Sequence, residues 1–355
     1  MIAPFAKRVD RLDFDEALEL YQREALINLG LMANAMRQRF HPEPIVTYVV
    51  DRNINYTNVC CSGCAFCAFY RPKGHKEAYI ISKEELSRKI EETLALGGTQ
   101  VLLQGGMHPD LGLSYYEDLL GFIKENYQIH IHGLSPPEVH FLAVRERLPI
   151  EEILKRLINA GLGSIPGGGA EILVDRVRQI VSPNKCSAGQ WLEVMETAHR
   201  MGLRTTATMV FGHVETMEER LEHLFKIREL QDRTGGFTAF IPWTFQPENT
   251  RLGGHKATSA EYLRMLAVSR LVLDNIPNIQ ASWVTQGPKI AQVALFFGAN
   301  DLGSTMIEEN VVAAAGTTFH MKMEEMVRLI ETAGFVPQQR DTFYRPIHWR
   351  TYGAL

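Results

Sequence analysis

No apolar run in this chain approaches the ~18 residues of a membrane helix, and no secretory or lipidation signal is evident. A membrane partner is therefore not expected. Basic runs and stripes are missing too. With Lys+Arg 37 against Asp+Glu 41, the formal net charge is −4, so nucleic acid, which is held through neutralised phosphates, is not expected either. Cysteine is sparse, and its count of five is odd. Together with the missing signal segment, this argues against a disulfide framework. The remainder is an ordinary globular composition, 45% hydrophobic and 22% charged. A reducing, cytoplasmic setting is expected for its free thiols.

From residue 45 the chain alternates short apolar runs with capped amphipathic stretches, the pattern of a parallel α/β fold. Eight runs read as strands: 46–55, 100–104, 129–133, 164–165, 205–211, 237–245, 279–284 and 301–305. Capping boxes open the helices between them: Ser82 with Glu85, Ser187 with Gln190, Thr216 with Glu219, and Thr258 with Glu261. Gly97, Gly161 and Gly202 follow helical runs, where a left-handed cap is wanted. The expected fold is a (β/α)8 TIM-type barrel over 45–320, with a six-stranded incomplete barrel as the alternative. Residues 1–44 read as a helical N-terminal extension, one helix ending at Gly30 and a second over 31–40. Residues 321–355 read as a short C-terminal extension, a helix over 324–333 and a polar tail.

Alternation along the strands sends Asn53 and Asn55, His130 and His132, and Gln280 and Ser282 inward, away from the apolar helices. A barrel that merely packs its lumen uses branched apolar residues there. Polar ones on three strands point to a ligand cavity, with these six as substrate-binding candidates. A self-satisfied polar network is the alternative. Trp243, with Phe245 two residues on, could flank an aromatic ring of the substrate. Past the fifth strand, His213 and Glu215 stand at the barrel mouth, suited by type to catalytic proton transfer. Loop capping is the blander explanation, since Thr216 already opens a helix. Asp301, Glu308 and Glu309 are further acidic candidates, and Arg251 and Lys289 are the candidates for a substrate carboxylate.

The sharpest feature is Cys60, Cys64 and Cys67, spaced C-x-x-x-C-x-x-C directly after the first strand run. Full ligation of a cubane 4Fe-4S cluster takes four thiolates. Three leave one iron open, and an open position separates a catalytic metal site from a structural one. A zinc knuckle would need four donors, with Cys61 or His75 as the fourth. Cys61 is next to Cys60, and its side chain leaves the loop differently. Phe66, just before the third cysteine, could pack beside a cluster.

This spacing, with Phe66, resembles the cluster motif of the radical S-adenosylmethionine (radical SAM) superfamily. The stretches 53–60, 67–71, 104–110, 166–172, 206–216, 241–247 and 299–305 resemble one branch of it, which builds futalosine-type menaquinone precursors and the deazaflavin FO. The resemblance implies a 4Fe-4S cluster on the three cysteines, with S-adenosylmethionine (SAM) chelated through its amino and carboxylate groups at the open iron. It also implies a low-potential electron donor of flavodoxin or ferredoxin type. Gln104, Gly105 and Gly106 match a segment whose backbone meets the methionine amino group, although the usual acidic residue after it is Met107 here. Glu171 and Ser135 are further SAM candidates. The reaction implied is removal of a ribose hydrogen from dehypoxanthine futalosine by a 5′-deoxyadenosyl radical. The carbon radical then adds to the benzoate ring, and loss of one electron and one proton follows, with His213 or Glu215 as base. Aminofutalosine synthesis and half of deazaflavin assembly are the alternatives within the family. A zinc-stabilised binding protein is the alternative outside it.

Overall fold

A computed structural model describes residues 11–317 and 319–347. The helical expectation for residues 1–10, and that part of the expected polar tail beyond 347, lie outside the described residues. Ten strands form among the described residues: β1 Ile45–Val49, β2 Asp51–Asn55, β3 Gln100–Gln104, β4 His130–Gly133, β5 Ser164–Ile165, β6 Arg204–Phe211, β7 Phe237–Thr244, β8 Asn278–Ile279, β9 Asp301–Ser304 and β10 Val336–Gln339. β2 to β8 pair in chain order as one parallel ladder of seven strands. β9 spans the gap that remains. On one side Gln280 bridges Asp301, and the Ala281 N–H donates to the Asp301 carbonyl at 2.9 Å. On the other side β9 pairs in parallel with β1. The expected TIM-type α/β barrel is present, as a curled seven-strand sheet with β9 and β1 as its closing seam.

Three expected elements end differently. The run 46–55 is two strands, parted at Val50, so that β1 leaves the ladder and pairs with β9 and β10. The run 279–284 is extended only to Ile279; Ser282 already flanks the helix Trp283–Ala294, which is kinked at Gly287 (φ 77°) and Pro288. Gly30 does not end a helix. The break falls at Glu24 and Ala25, between the helices Phe14–Arg23 and Leu26–Phe40, and Gly30 lies inside the second. A Cβ there would meet the Phe297 ring at 2.9 Å, so this glycine serves close packing of the helix on the barrel.

Local rules hold elsewhere. Ser82, Ser187, Thr216 and Thr258 each accept the expected N–H bond in the first helical turn. Gly97, Gly161 and Gly202 all take positive φ after their helices. The helix Leu26–Phe40 lies against Ser259–Val272 on the outside of the barrel and buries Leu29, Ala33 and Met36. A large apolar side chain buried at such a seam contributes roughly 2 kcal/mol. At the other end of the chain, β10 pairs in parallel with β1, Ile45 opposite Val336. Residues 340–344 then run across the N-terminal end of the barrel. Arg340 clamps Asp301 there (Nε–Oδ2 2.6 Å, Nη2–Oδ1 3.0 Å), and the Thr342 hydroxyl bonds Gln100 on β3.

Candidate active site

A cavity of about 320 Å³ fills the barrel lumen. Strand register orders its lining by height. Asp51 and Gln100 lie at the floor, Asn53, Leu102 and His132 one layer up, and Gln104 and Trp243 near the mouth. Phe66 and Cys67 of the cysteine loop stand over the mouth. One wall is apolar and aromatic, because Ile241, Trp243 and Phe245 are two apart and project to the same side. Gln280 also lines the lumen. Among the described residues no three His, Cys, Asp or Glu side chains gather as ligands of one ion would.

The cysteine loop is pinned from several directions, which is how a segment without regular structure holds three thiols in place. The Arg71 guanidinium gathers the carbonyls of Ala68, Phe69 and Tyr70 (3.0, 3.1 and 3.0 Å), turning the chain back after Cys67. The Ala65 N–H reaches the Val181 carbonyl at 2.8 Å, and Asn184 holds the Ser62 carbonyl at 3.1 Å. The Leu252 N–H holds the Ala65 carbonyl at 2.9 Å, and Arg251 caps the Gly63 carbonyl. Arg251 thus braces the loop and, together with the exposed Lys289, stays out of the lumen, against the expectation for a substrate carboxylate. Burial pushes the thiols of Cys60, Cys64 and Cys67 up. Buried thiolates are therefore stable only opposite positive charge, which a bound iron cluster supplies. The Met107 N–H donates to Cys60 Sγ at 3.4 Å, a bond of the kind that tunes cluster sulfurs. The donor set fits a 4Fe-4S cluster on these three residues. Cys61 is exposed and is placed by its backbone, whose N–H donates to the Met107 carbonyl.

Gly105 and Gly106 are dictated by space. A Cβ on Gly105 would lie 2.7 Å from the Tyr56 ring, and one on Gly106 would lie 2.1 Å from the Val59 carbonyl oxygen. Their N–H groups are used internally. Gly105 donates to Glu138 (3.2 Å) and Gly106 to the Thr57 carbonyl (2.9 Å). An ammonium group would find only the carbonyl side of this segment. Glu138 gave no signal beyond a capping spacing, yet it organises this corner. Its buried carboxylate, pushed up by burial, receives the Tyr56 hydroxyl, the Gly105 N–H, and both the N–H and the hydroxyl of Ser135. Ser135 is therefore a helix cap whose hydroxyl is already engaged.

Several other candidates stand outside the lumen. His213 and Glu215 have side chains 0% exposed and pair at 2.8 Å. The Glu215 oxygens also accept from the N–H groups of Gly212 (2.6 Å) and His213 (3.0 Å) and from Arg220 Nε (2.7 Å). Against its burial, these partners hold the Glu215 carboxyl down to about 2. A carboxylate so saturated is a poor base. Arg220 continues to the Tyr21 hydroxyl at 2.7 Å, so the pair braces the N-terminal helix against the loop after β6. Glu171, a SAM candidate, does not line the lumen. It is buried at φ 40°, bound by Lys185 (2.8 Å) and Arg178 (3.5 Å), and burial notwithstanding, those cations hold its carboxyl below the usual range. The left-handed backbone costs of order 1 kcal/mol in a non-glycine residue. Lys185 in turn lies 5.1 Å over the Phe66 ring, a half-buried cation beneath the cysteine loop that the sequence did not single out.

Asn55 spends its amide on the Gln104 carbonyl (3.2 Å) and on Asn310 (3.2 Å). Ser282 pairs with Thr285 (2.7 Å) because its strand has already ended. His130 occupies the bottom of β4, where its ring packs edge-on against Phe343 of the C-terminal segment, centroids 5.1 Å apart. It shares the Ser164 hydroxyl with His132, at 2.7 and 2.6 Å. Burial lowers His130 to about 4 and His132 to about 3. Both are therefore neutral in the folded chain, while the unfolded chain takes up protons as pH falls below the ordinary ~6.5. The folded state should lose up to about 2 kcal/mol for each histidine by about pH 5. Urea melts at about pH 7.5 and about pH 5, compared with a His130→Asn/His132→Asn double variant, test this. The variant should show the smaller acid loss, and equal losses would refute the assignment.

The comparisons agree with this architecture. Residues 54–227 match the radical SAM superfamily, and residues 234–352 match the CofH/MqnC C-terminal region. The chain is 49% identical over 340 residues to the cyclic dehypoxanthine futalosine synthase of Halalkalibacterium halodurans, covering 95% of this chain and 92% of that one. It is 48% identical to the protein of the same name from Streptomyces coelicolor, over 94% and 85%. It is 42% identical to the aminodeoxyfutalosine synthase of Thermus thermophilus, over 98% and 96%. Among solved structures, methylornithine synthase superposes with a TM-score of 0.73 at 19% identity, covering 94% of this chain and 97% of that one, a likeness of fold alone. By this length-wide identity the chain belongs to the radical SAM superfamily of enzymes, with a 4Fe-4S cluster and SAM as its cofactors.

Proposed function

We propose that the enzyme cyclises dehypoxanthine futalosine to cyclic dehypoxanthine futalosine, a step of menaquinone biosynthesis by the futalosine route. The observation that carries this reading is the 49% identity to a cyclic dehypoxanthine futalosine synthase along 95% of the chain. When bound, the cluster and SAM supply a carbon-centred radical that takes a hydrogen atom from the sugar. The cysteines Cys60, Cys64 and Cys67 would hold the cluster, with Phe66 packed beside it and the Gln104–Gly105–Gly106 segment offering carbonyls to the methionine ammonium. Asn53, His132, Trp243 and Gln280 would meet the substrate. The supporting residues Ser135, Glu138, Glu171 and Lys185 would hold the mouth rigid.

The protein's main task is placement. A reactive radical attacks whatever C–H bond is within reach, so one sugar hydrogen must sit near ~3 Å with water kept away. A lumen floored by Arg340 and Thr342 and walled by Trp243 and Phe245 suits an elongated substrate with an aromatic end. The electron would come from a low-potential flavodoxin- or ferredoxin-type donor in a reducing cytoplasm.

Anaerobic incubation with dithionite, SAM and each candidate substrate, read by mass spectrometry, tests the assignment. Dehypoxanthine futalosine should give a product lighter by two hydrogens. Turnover of the aminodeoxyfutalosine synthase substrate in its place would move the chain to that neighbouring activity.

A further inference from the structure

We propose that Glu309 is the base that receives the proton released when the substrate's aromatic ring is restored, with Asn53 holding its carboxylate in position. The proposal rests on the cyclisation assigned above. That reaction needs a base, and the pair that looked suitable, His213 and Glu215, does not line the cavity.

Among the described residues, two carboxylates line the lumen, Asp51 and Glu309. Neither has an ion-pair partner among the described residues. Carboxylates taken from water without a cation are costly, which makes both functional candidates. Asp51 is at the floor and only 3% exposed, with one oxygen taken by the Ser304 hydroxyl and the other by Gln100 Nε2 at 2.5 Å. Glu309 retains accessible surface and hangs from the loop after β9. Its Oε1 is fixed by the N–H groups of Val311 (2.8 Å) and Val312 (2.9 Å). Its Oε2 accepts one bond, from Asn53 Nδ2 at 2.9 Å, and so keeps a lone pair. Asn53 is two residues beyond Asp51 along β2, about 7 Å closer to the mouth and the cysteine loop.

Burial raises the Glu309 carboxyl above the usual range, with Glu308 adding to the shift. Glu308 itself is engaged by Lys89 and, at 3.9 Å, by Arg52. The other titratable groups around the lumen are Asp51, His132, Arg340 and Tyr344 below, and Cys67 at the mouth. A carboxylate whose proton affinity is raised is the better proton acceptor.

The step balances as follows. After the new C–C bond forms, the attacked ring carbon still carries its hydrogen, and the ring is a delocalised radical. The C–H bond breaks and an O–H bond forms at Glu309 Oε2. The C–H pair returns to the ring, which recovers its aromatic sextet and passes the surplus electron to a one-electron acceptor of the iron–sulfur class.

The test compares wild type with Glu309→Gln, which keeps the size of the side chain and its contacts to the Val311 and Val312 amides. In reconstituted enzyme the variant should keep substrate KM within about threefold and still form 5′-deoxyadenosine, while cyclised product falls about 100-fold or more. Freeze-quench EPR should then show an accumulated substrate radical, which a purely structural defect would not produce. An unchanged ratio of product to 5′-deoxyadenosine, or a loss confined to KM, overturns the proposal. On protein free of cofactors, infrared titration should show a carboxyl band ionising above the ordinary glutamate range in wild type and missing from Glu309→Gln; a band unchanged in the variant also overturns it. Wild type that cyclises nothing defeats the substrate assignment. Wild type that cyclises no better than Glu309→Gln defeats Glu309 alone.

Discussion

A Cys64→Ala variant is expected to fold, to bind little iron and to lose SAM cleavage almost completely. Outer-shell changes around a metal site already cost ~10–100-fold, so loss of a direct ligand should cost more than ~100-fold. The fold should survive because the loop is not held by its sulfurs. The pins are the Arg71 guanidinium on three carbonyls, the Ala65–Val181 and Leu252–Ala65 backbone bonds, and Asn184 on the Ser62 carbonyl. Cys64 Sγ contributes one contact, to the Ser62 hydroxyl at 3.0 Å. Cys61→Ser is the matched control. Its side chain is exposed and its position is fixed through the backbone, so iron content and SAM cleavage should stay near wild type. Iron and sulfide analysis, the thermal midpoint and 5′-deoxyadenosine yield on both variants decide the matter. Undiminished SAM cleavage by Cys64→Ala would end the assignment of the cluster to this loop.

The cysteine loop stood out as a candidate because its information is local: three thiols within eight residues need no knowledge of the rest of the fold. The barrel was legible for a similar reason, since strand runs and capping boxes are short-range patterns. What alternation along a strand cannot tell is height or partner. It turned His130 and His132 to the same face, yet only His132 reaches the lumen, because His130 is one layer lower and packs against Phe343. It turned Asn53 and Asn55 alike, yet Asn55 is consumed by the neighbouring strand and by Asn310. Ser282 was misplaced because the eighth strand is only two residues long.

The larger misreadings come from partners distant in sequence or hidden by the fold. Glu171 looks like a free acid until Lys185 and Arg178 fold onto it, and Glu215 until Arg220 turns back one helical turn later. The C-terminal residues looked like an extension with a polar tail. Nothing short-range announces that β10 pairs with β1 nearly the whole chain away and brings Arg340, Thr342 and Tyr344 to the barrel floor.

Gly106→Ala should disable the enzyme nearly as thoroughly as loss of a cysteine, by a different route. Gly106 lacks a positive φ, so alanine meets no conformational objection there. The objection is space. The added methyl would lie 2.1 Å from the Val59 carbonyl oxygen, 2.6 Å from its carbon and 2.9 Å from Cys60 Cβ. These are backbone and near-backbone atoms that no rotamer change can move aside, so the segment carrying Cys60 must shift as a body. Three bonds cross that contact: Gly106 N–H to Thr57, Met107 N–H to Cys60 Sγ, and Cys61 N–H to Met107. Overpacking of this kind costs about 1–3 kcal/mol in a rigid core, and here the cost falls on the geometry of a cluster ligand. Iron retention and SAM cleavage should both drop, cleavage by ~100-fold or more. Gly202→Ala supplies the contrast. Gly202 has φ 87° and nothing within 4 Å of a Cβ, so alanine there meets only the left-handed penalty of about 1–2 kcal/mol, far from the mouth. That variant should melt earlier and keep its cluster. If Gly106→Ala instead behaves like Gly202→Ala, less stable but fully loaded and active, then the contact between the Gly-Gly segment and Cys60 does not position the cluster.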